Sequence, residues 1–253
     1  MPYLANSLCI GSSAASASAS ASAPAGFTNT YSVALDGIND KITSTFNPYT
    51  AIGAGDFTLS GWAKLSDLDT SYSIMYMGPS QTSTDYVHIF YWQPDNALRF
   101  QSRNGPAGNN NIDTTPPVAG DWYHYALKRT SGTVNAFVNG VSVGTSSDAE
   151  WGTNFSSGGH AALQLGNVRT LLPLDGRLNN ISVFTSALSD TDITNTLYNG
   201  GTPGDLTSLS PHLWYRTGDN DGGTGTTITD QGSGGNDGTL VNGASFVVDA
   251  PSS

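Results

Sequence analysis

The chain has 253 residues and a formal charge of −11, with only 9 Lys+Arg against 20 Asp+Glu. So few cations exclude a nucleic-acid surface, which needs clustered Lys and Arg to neutralise phosphates, and no apolar run approaches the ~20 residues of a membrane-spanning helix. Cys9 is the one cysteine, so no intrachain disulfide exists and packing must hold the fold.

The N-terminus has neither the basic start nor the continuous apolar segment of a secretory signal, and bulky Leu8 before Cys9 is a poor lipid-attachment context. Export, if it occurs, is expected by a route other than cleavable secretion. From Ser12 to Ala23 the chain is an Ala/Ser tract ending at Pro24, too small in its side chains to build a core. Residues 1–26 are therefore expected to form an arm that becomes ordered against a neighbouring subunit by strand addition. Its contact residues are Tyr3, Leu4, Leu8, Cys9 and Ile10, with Cys9 a buried or partner-facing thiol.

Regular alternation begins after Phe27. Tyr31–Leu35 stops at Asp36-Gly37, and Lys41–Phe46 follows as its partner. Phe57–Leu65 is a long strand with Phe57, Leu59, Gly61, Ala63 and Leu65 on one side and Trp62 on the other. Further strands are expected at Tyr72–Met77, Tyr86–Trp92, Ala97–Gln101, Ala161–Leu165 and Gly176–Phe184. The segment DWYHYALKRTSGTVNAFVNGVSVG, Asp121 to Gly144, reads as a three-stranded meander turning at Ser131-Gly132 and Asn139-Gly140. Asn-Gly accepts the two positive φ angles that a tight hairpin needs. Ser189, with Asp192 three residues on, signals a capped helix from Asp190 to Tyr198, stopped by Gly200-Gly201 and Pro203. Past Pro203, strands at His212–Arg216 and Thr239–Val248 flank a Gly/Asp/Thr-rich stretch. Many strands with short links imply an all-β, antiparallel two-sheet sandwich with one short helix. The expected organisation is an arm at 1–26, a sandwich at 27–204, and a β extension at 205–253 that pairs with the sandwich over an edge.

Five blocks in order, YSVALDGINDKI, FTLSGWAKL, the meander, ALQLGNV and LDGRLNNISVFTSALSDTDI, resemble laminin-G-like domains of the concanavalin A-like lectin/glucanase superfamily. The resemblance spans about Phe27 to Gly201. It implies a jelly roll, with Trp62 and Trp122 in or against the core and Asn139-Gly140 at a hairpin tip. The aromatic strand and D-x-G-x-G-x-x-G-T-like turn near the end, together with the low-complexity arm, are similar to structural proteins of tailed bacteriophages.

The superfamily includes glycoside hydrolases, whose retaining mechanism needs two carboxyls about 5 Å apart, arranged on one strand in these folds. Here Glu150 is the lone glutamate and no strand presents alternate acidic residues. There is no G-x-S-x-G elbow, and His88, His124, His160 and His212 are dispersed, so no enzyme is expected. Hard oxygen ligands for Ca2+ exist at Asp36 and Asp40, and at Asp219 and Asp221, although Asp-Gly pairs also make turns without metal. Candidate sugar-binding residues are Tyr91 and Trp92, and Trp151 with Asn154. Asn154 and Asn180 also head sequons, read as chance matches.

The sequence therefore yields two functional expectations. The first is a non-enzymatic virion protein on the capsid surface, decorating or cementing the shell. Its arm would dock on the major capsid protein or on other copies of itself. The alternative is a lectin-like, glycan-binding host-recognition module of a tail fibre or adhesin. Neither has a nucleic-acid or membrane partner.

Overall fold

The computed structural model describes residues 27–78, 86–103, 109–147, 162–168 and 172–252. Tyr3, Leu4, Leu8, Cys9, Ile10, Glu150, Trp151 and Asn154 lie outside the described residues. The strands are β1 (Tyr31–Asp36), β2 (Lys41–Ser44), β3 (Phe57–Leu65), β4 (Tyr72–Gly78), β5 (Tyr86–Trp92), β6 (Ala97–Arg103), β7 (Asn109–Thr114) and β8 (Trp122–Thr130). They continue with β9 (Thr133–Val138), β10 (Val141–Ser146), β11 (Ala162–Leu165), β12 (Asp175–Phe184), β13 (Leu213–Tyr215), β14 (Thr227–Ile228), β15 (Gly238–Val241) and β16 (Ser245–Val248).

Two antiparallel sheets form, as the alternation predicts. The first runs β10-β9-β8-β3-β12-β1-β16, with β13 also paired to β12; the second runs β14-β15-β2-β11-β4-β5-β6-β7. Their facing sides enclose one core, built from Leu59 and Leu65 of β3, Tyr123 and Leu127 of β8, Ile89 of β5 and Phe100 of β6, among others. In the meander, Ser131, Gly132, Asn139 and Gly140 all take positive φ, the mirror-image turn geometry whose twist suits a two-residue hairpin.

Three segments depart from the sequence reading. Strand β7 (NNNIDT) went unseen because Ile112 is its single apolar residue, and an edge strand needs no more. The chain from 239 to 248 is two strands, not one. It breaks at Asn242-Gly243, so that β15 pairs with β2 in one sheet and β16 with β1 in the other. The extension thus joins both sheets rather than covering one edge. The third departure is the helix. Ser189 and Asp192 do form the predicted capping box, yet only Asp190–Asp192 is α-helical and Ile193–Tyr198 is a π-helix. Ile193, Thr194 and Thr196 are β-branched and lose χ1 freedom in a tight α turn.

This helical segment lies on the outer face of the first sheet. Ile193 and Leu197, with Leu206 and Trp214, bury Ala126, Phe137 and Phe184 in a second, smaller core. Among the described residues no helix is long and apolar enough to cross a membrane.

Candidate functional site

A cleft of about 400 Å3 opens where the helical segment ends over the first sheet. In the β3–β8 register Trp62 stands opposite His124, and Lys64 opposite Trp122. Trp62 and Trp122 are therefore diagonal neighbours on the outer face, close enough for large rings to share one depression. The π-helix delivers Tyr198 to the same place, its ring stacked on Trp62 at 5.9 Å and 22°. Thr194 Oγ1 donates to the Gly140 carbonyl at 2.8 Å, tying the helical segment to the β9–β10 turn. Gly140 is required there twice over: its φ is +73°, and a Cβ would lie 2.7 Å from Tyr198 Cδ1.

Polar groups complete the walls. Asp121 and Asn139 line the cleft, and both are exposed. The His124 backbone N–H donates to Asn139 Oδ1 at 2.9 Å, which holds the turn to β8 and leaves the Asn139 Nδ2 group uncommitted. Trp122 Nε1 donates to Asp249 Oδ1 at 3.2 Å. Asp249 also receives Lys64 at 3.1 Å and pairs with Arg177, so a single carboxylate engages both cations beside the cleft.

Beneath this lining two polar atoms are unsatisfied. Trp62 is 2% exposed and His124 fully buried, and neither Trp62 Nε1 nor His124 Nδ1 has a hydrogen-bond partner. His124 shares a 2.8 Å hydrogen bond with Ser60 through Nε2, and burial pushes its pKa down to about 3, so the ring is neutral at physiological pH. An unmade buried hydrogen bond costs about 1–3 kcal/mol. The floor of the cleft therefore carries polar capacity that the fold itself leaves unused.

Of the sequence-predicted sugar-binding residues, Trp151 and Asn154 lie outside the described residues, and Tyr91 and Trp92 face opposite sides of the second sheet. Tyr91 points inward and is 1% exposed, its hydroxyl donating to Asn96 Oδ1 at 2.9 Å, so no sugar can stack on it. Its inward orientation follows from strand parity: Phe90 and Trp92 occupy the opposite face. Trp92 is half-buried on the outer side of the second sheet, with the Arg99 guanidinium 5.9 Å from its ring.

The four candidate calcium ligands serve as turn and loop acceptors, while Asp40 Oδ1 and Asp219 Oδ2 are buried without a partner. Asp36 Oδ1 accepts from the Ile38 N–H at 2.9 Å, and such backbone donors hold its carboxyl below the usual carboxylate range. Asp40 Oδ2 accepts from the Asp36 N–H at 3.2 Å, while burial raises its pKa. Asp219 Oδ1 accepts from the Thr30 N–H at 2.9 Å, and burial again raises the pKa. Asp221 Oδ1 accepts from Thr229 Oγ1 at 2.6 Å. Among the described residues no three His, Cys, Asp or Glu side chains are grouped to hold a metal. Asn180 is 3% exposed and accepts from Trp214 Nε1 at 2.6 Å, which agrees with a chance sequon.

Trp62 and Trp122 were expected in or against the core, and Asn139 at a hairpin tip, but their convergence on Tyr198 was not foreseen. The available signal was parity: Trp62 lies on the face opposite Leu59 and Ala63, so something else had to cover it.

Comparison with known proteins places the fold. Residues 36–194 match a laminin-G family model described as the concanavalin A-like lectin/glucanases superfamily. A protein of Bacteroides ovatus, described as a candidate carbohydrate-binding protein, is similar with a TM-score of 0.65 at 20% identity. The match covers 90% of this chain and 62% of that one. The CBM40 domain of the Ruminococcus gnavus IT-sialidase, bound to α2,3-sialyllactose, gives a TM-score of 0.50 at 16% identity, over 64% of this chain and 95% of that one. Domain 4 of a GH43 extracellular arabinanase from Geobacillus stearothermophilus, in complex with arabinotriose, gives 0.50 at 16%, over 65% of this chain and 86% of that one. At these identities the likeness is one of fold. Among curated proteins none matches.

Proposed function

This chain belongs to the concanavalin A-like lectin/glucanase superfamily, and on that premise we propose that it is a non-catalytic carbohydrate-binding module whose ligand occupies the cleft of Trp62, Trp122 and Tyr198. The observation that carries the reading is the cleft itself, where aromatic rings meet uncommitted polar groups in one concavity. A pyranose or furanose ring has an apolar face and a polar rim. Trp122 offers the first a surface, and Asn139 and Asp121 offer the second hydrogen bonds. Among the described lining residues Asp121 is the sole carboxylate, so the two-carboxyl arrangement of glycoside hydrolysis is not assembled there. The Ruminococcus gnavus and Geobacillus stearothermophilus domains, which share the fold, were solved with sialyllactose and arabinotriose bound.

The first expectation, capsid docking, turns on residues 1–26, which lie outside the described residues, whereas the cleft lies within them.

A glycan array, run with and without Ca2+, tests the reading. Saturable binding is expected, and Trp122→Ala should weaken it at least about fivefold, because truncating a central aromatic anchor removes more than about 1 kcal/mol. Incubation with the bound polysaccharide should release no reducing ends. Binding unchanged in Trp122→Ala, or turnover of the polymer, would overturn the proposal.

A further inference from the structure

A second cleft of about 350 Å3 adjoins the first, and Ser252 lines both. One wall also runs on from the first to the second. Tyr198 and Gly201 border the first cleft, and Asn199, Thr202 and Asp205 border the next. Asn29 stands in the second cleft with an unusual condition: its Nδ2 and its Oδ1 are both buried and both lack a hydrogen-bond partner. A primary amide with donor and acceptor both orphaned is one of the most unfavourable things a fold can retain. The retained amide matches a ligand that presents a donor and an acceptor side by side, as the adjacent hydroxyls of a sugar do.

The electrostatics narrow the ligand further. No Lys or Arg lines either cleft among the described residues, while Asp121 and Asp205 are exposed carboxylates on the first and the second. Lys64 and Arg177 are engaged by Asp249. Thr207, through its hydroxyl and its backbone N–H, holds the Asp205 carboxyl below the usual range, so the group is ionised at neutral pH. An anionic sugar would meet these two lining carboxylates directly, whereas the nearby cations Lys64, Arg177 and Arg216 stand outside the lining, the first two held by Asp249 and the third by Asn220 and the Thr28 carbonyl.

We infer that the two clefts form one trough, that its occupant is a neutral oligosaccharide of at least two rings, and that Asn29 reads the second ring. This rests on the carbohydrate reading above and deepens it. Either cleft alone sits at the lower end of the ~300–1,000 Å3 range for ligand pockets; in line, they suit a chain rather than a single terminal residue. The trough discriminates by length through Asn29 and by charge through Asp121 and Asp205.

Calorimetric titration of the full chain tests this with glucose, xylose and arabinose, their linear oligomers of two to six units, and 3′-sialyllactose. In at least one neutral series, affinity is expected to rise about tenfold between one and three units, the scale of two added hydrogen bonds. 3′-Sialyllactose should bind at least about tenfold more weakly than the neutral trisaccharide. Asn29→Leu keeps the shape and removes both orphaned atoms. It should abolish the length-dependent gain and leave the Tm equal or higher. Should that variant not fold, Ser252→Trp, at an exposed position shared by both clefts, should weaken the trisaccharide more than the monosaccharide. Equal affinity at all lengths, a gain that survives in folded Asn29→Leu, or preference for sialyllactose would each overturn the trough. If no neutral sugar of any length binds, the carbohydrate reading itself falls; if a monosaccharide binds and is lost in Trp122→Ala without any length gain, only the trough does.

Discussion

Trp62 and His124 sit opposite each other on neighbouring strands, and each buries a polar atom without a partner. His124 makes this arrangement measurable. Its folded pKa of about 3 lies below the ordinary value of 6.5, and burial is the cause. A neutral buried imidazole contributes stability that is fully present above pH 6.5. That stability is lost as the pH falls from 6.5 towards 3, because the unfolded chain then binds a proton that the folded chain refuses. The slope from this group is at most about 1.4 kcal/mol per pH unit. Asp40 and Asp219, with raised pKa values, act in the opposite sense, so wild type must be compared with His124→Gln. Urea unfolding at pH 7, 5 and 4 should show the wild type losing stability faster than the variant. Gly140 is a second local test: alanine there meets both a φ of +73° and the Tyr198 ring. Gly140→Ala should destabilise by about 1–3 kcal/mol and weaken sugar binding by displacing Tyr198, read by urea unfolding and titration.

The helical segment connects the sequence with the cleft. Ser189 and Asp192 were legible as a capping box and are one, with Ser189 Oγ accepting from the Asp192 N–H at 3.0 Å. What the residues did not disclose is the π register that follows, because the same Leu197 and Ile193 would be buried by an α-helix. Ser189→Ala should remove about 1 kcal/mol of stability, seen as a lower urea midpoint, and should reduce affinity through Tyr198. Strand parity was similarly legible one face at a time. It placed Phe57, Leu59 and Ala63 in the core and put Arg129 on the same face of β8 as Tyr123 and Leu127. There Arg129 stays 1% exposed, with its guanidinium 4.7 Å from the Phe57 ring. Parity also excludes Tyr91 from the surface, since it must face opposite to Trp92; naming both as sugar-binding residues ignored that alternation. The cleft was not legible because its residues come from β3, β8, the β9–β10 turn and the helical segment, which no local spacing relates.

Across the molecule, the segment after Pro203 is structural in both sheets. β13 extends the pairing of β12, β15 lies between β14 and β2, and β16 closes the edge beside β1. Tyr215 is buried, and its hydroxyl lies 2.6 Å from Ser44 Oγ, linking β13 to the opposite sheet. Deletion of residues 205–253 should therefore abolish cooperative unfolding, measured by circular dichroism with urea, because β1 and β2 would each lose one of two strand neighbours and Val33 and Ile42 would be left on bare edges.

Phe27 and Pro251 border the same depression as Asn29. The described residues begin and end beside the proposed trough, so a sugar held there would lie next to both ends. Any body joined at either end would hold a captured polysaccharide in its own shadow. Such an arrangement favours retention over reach.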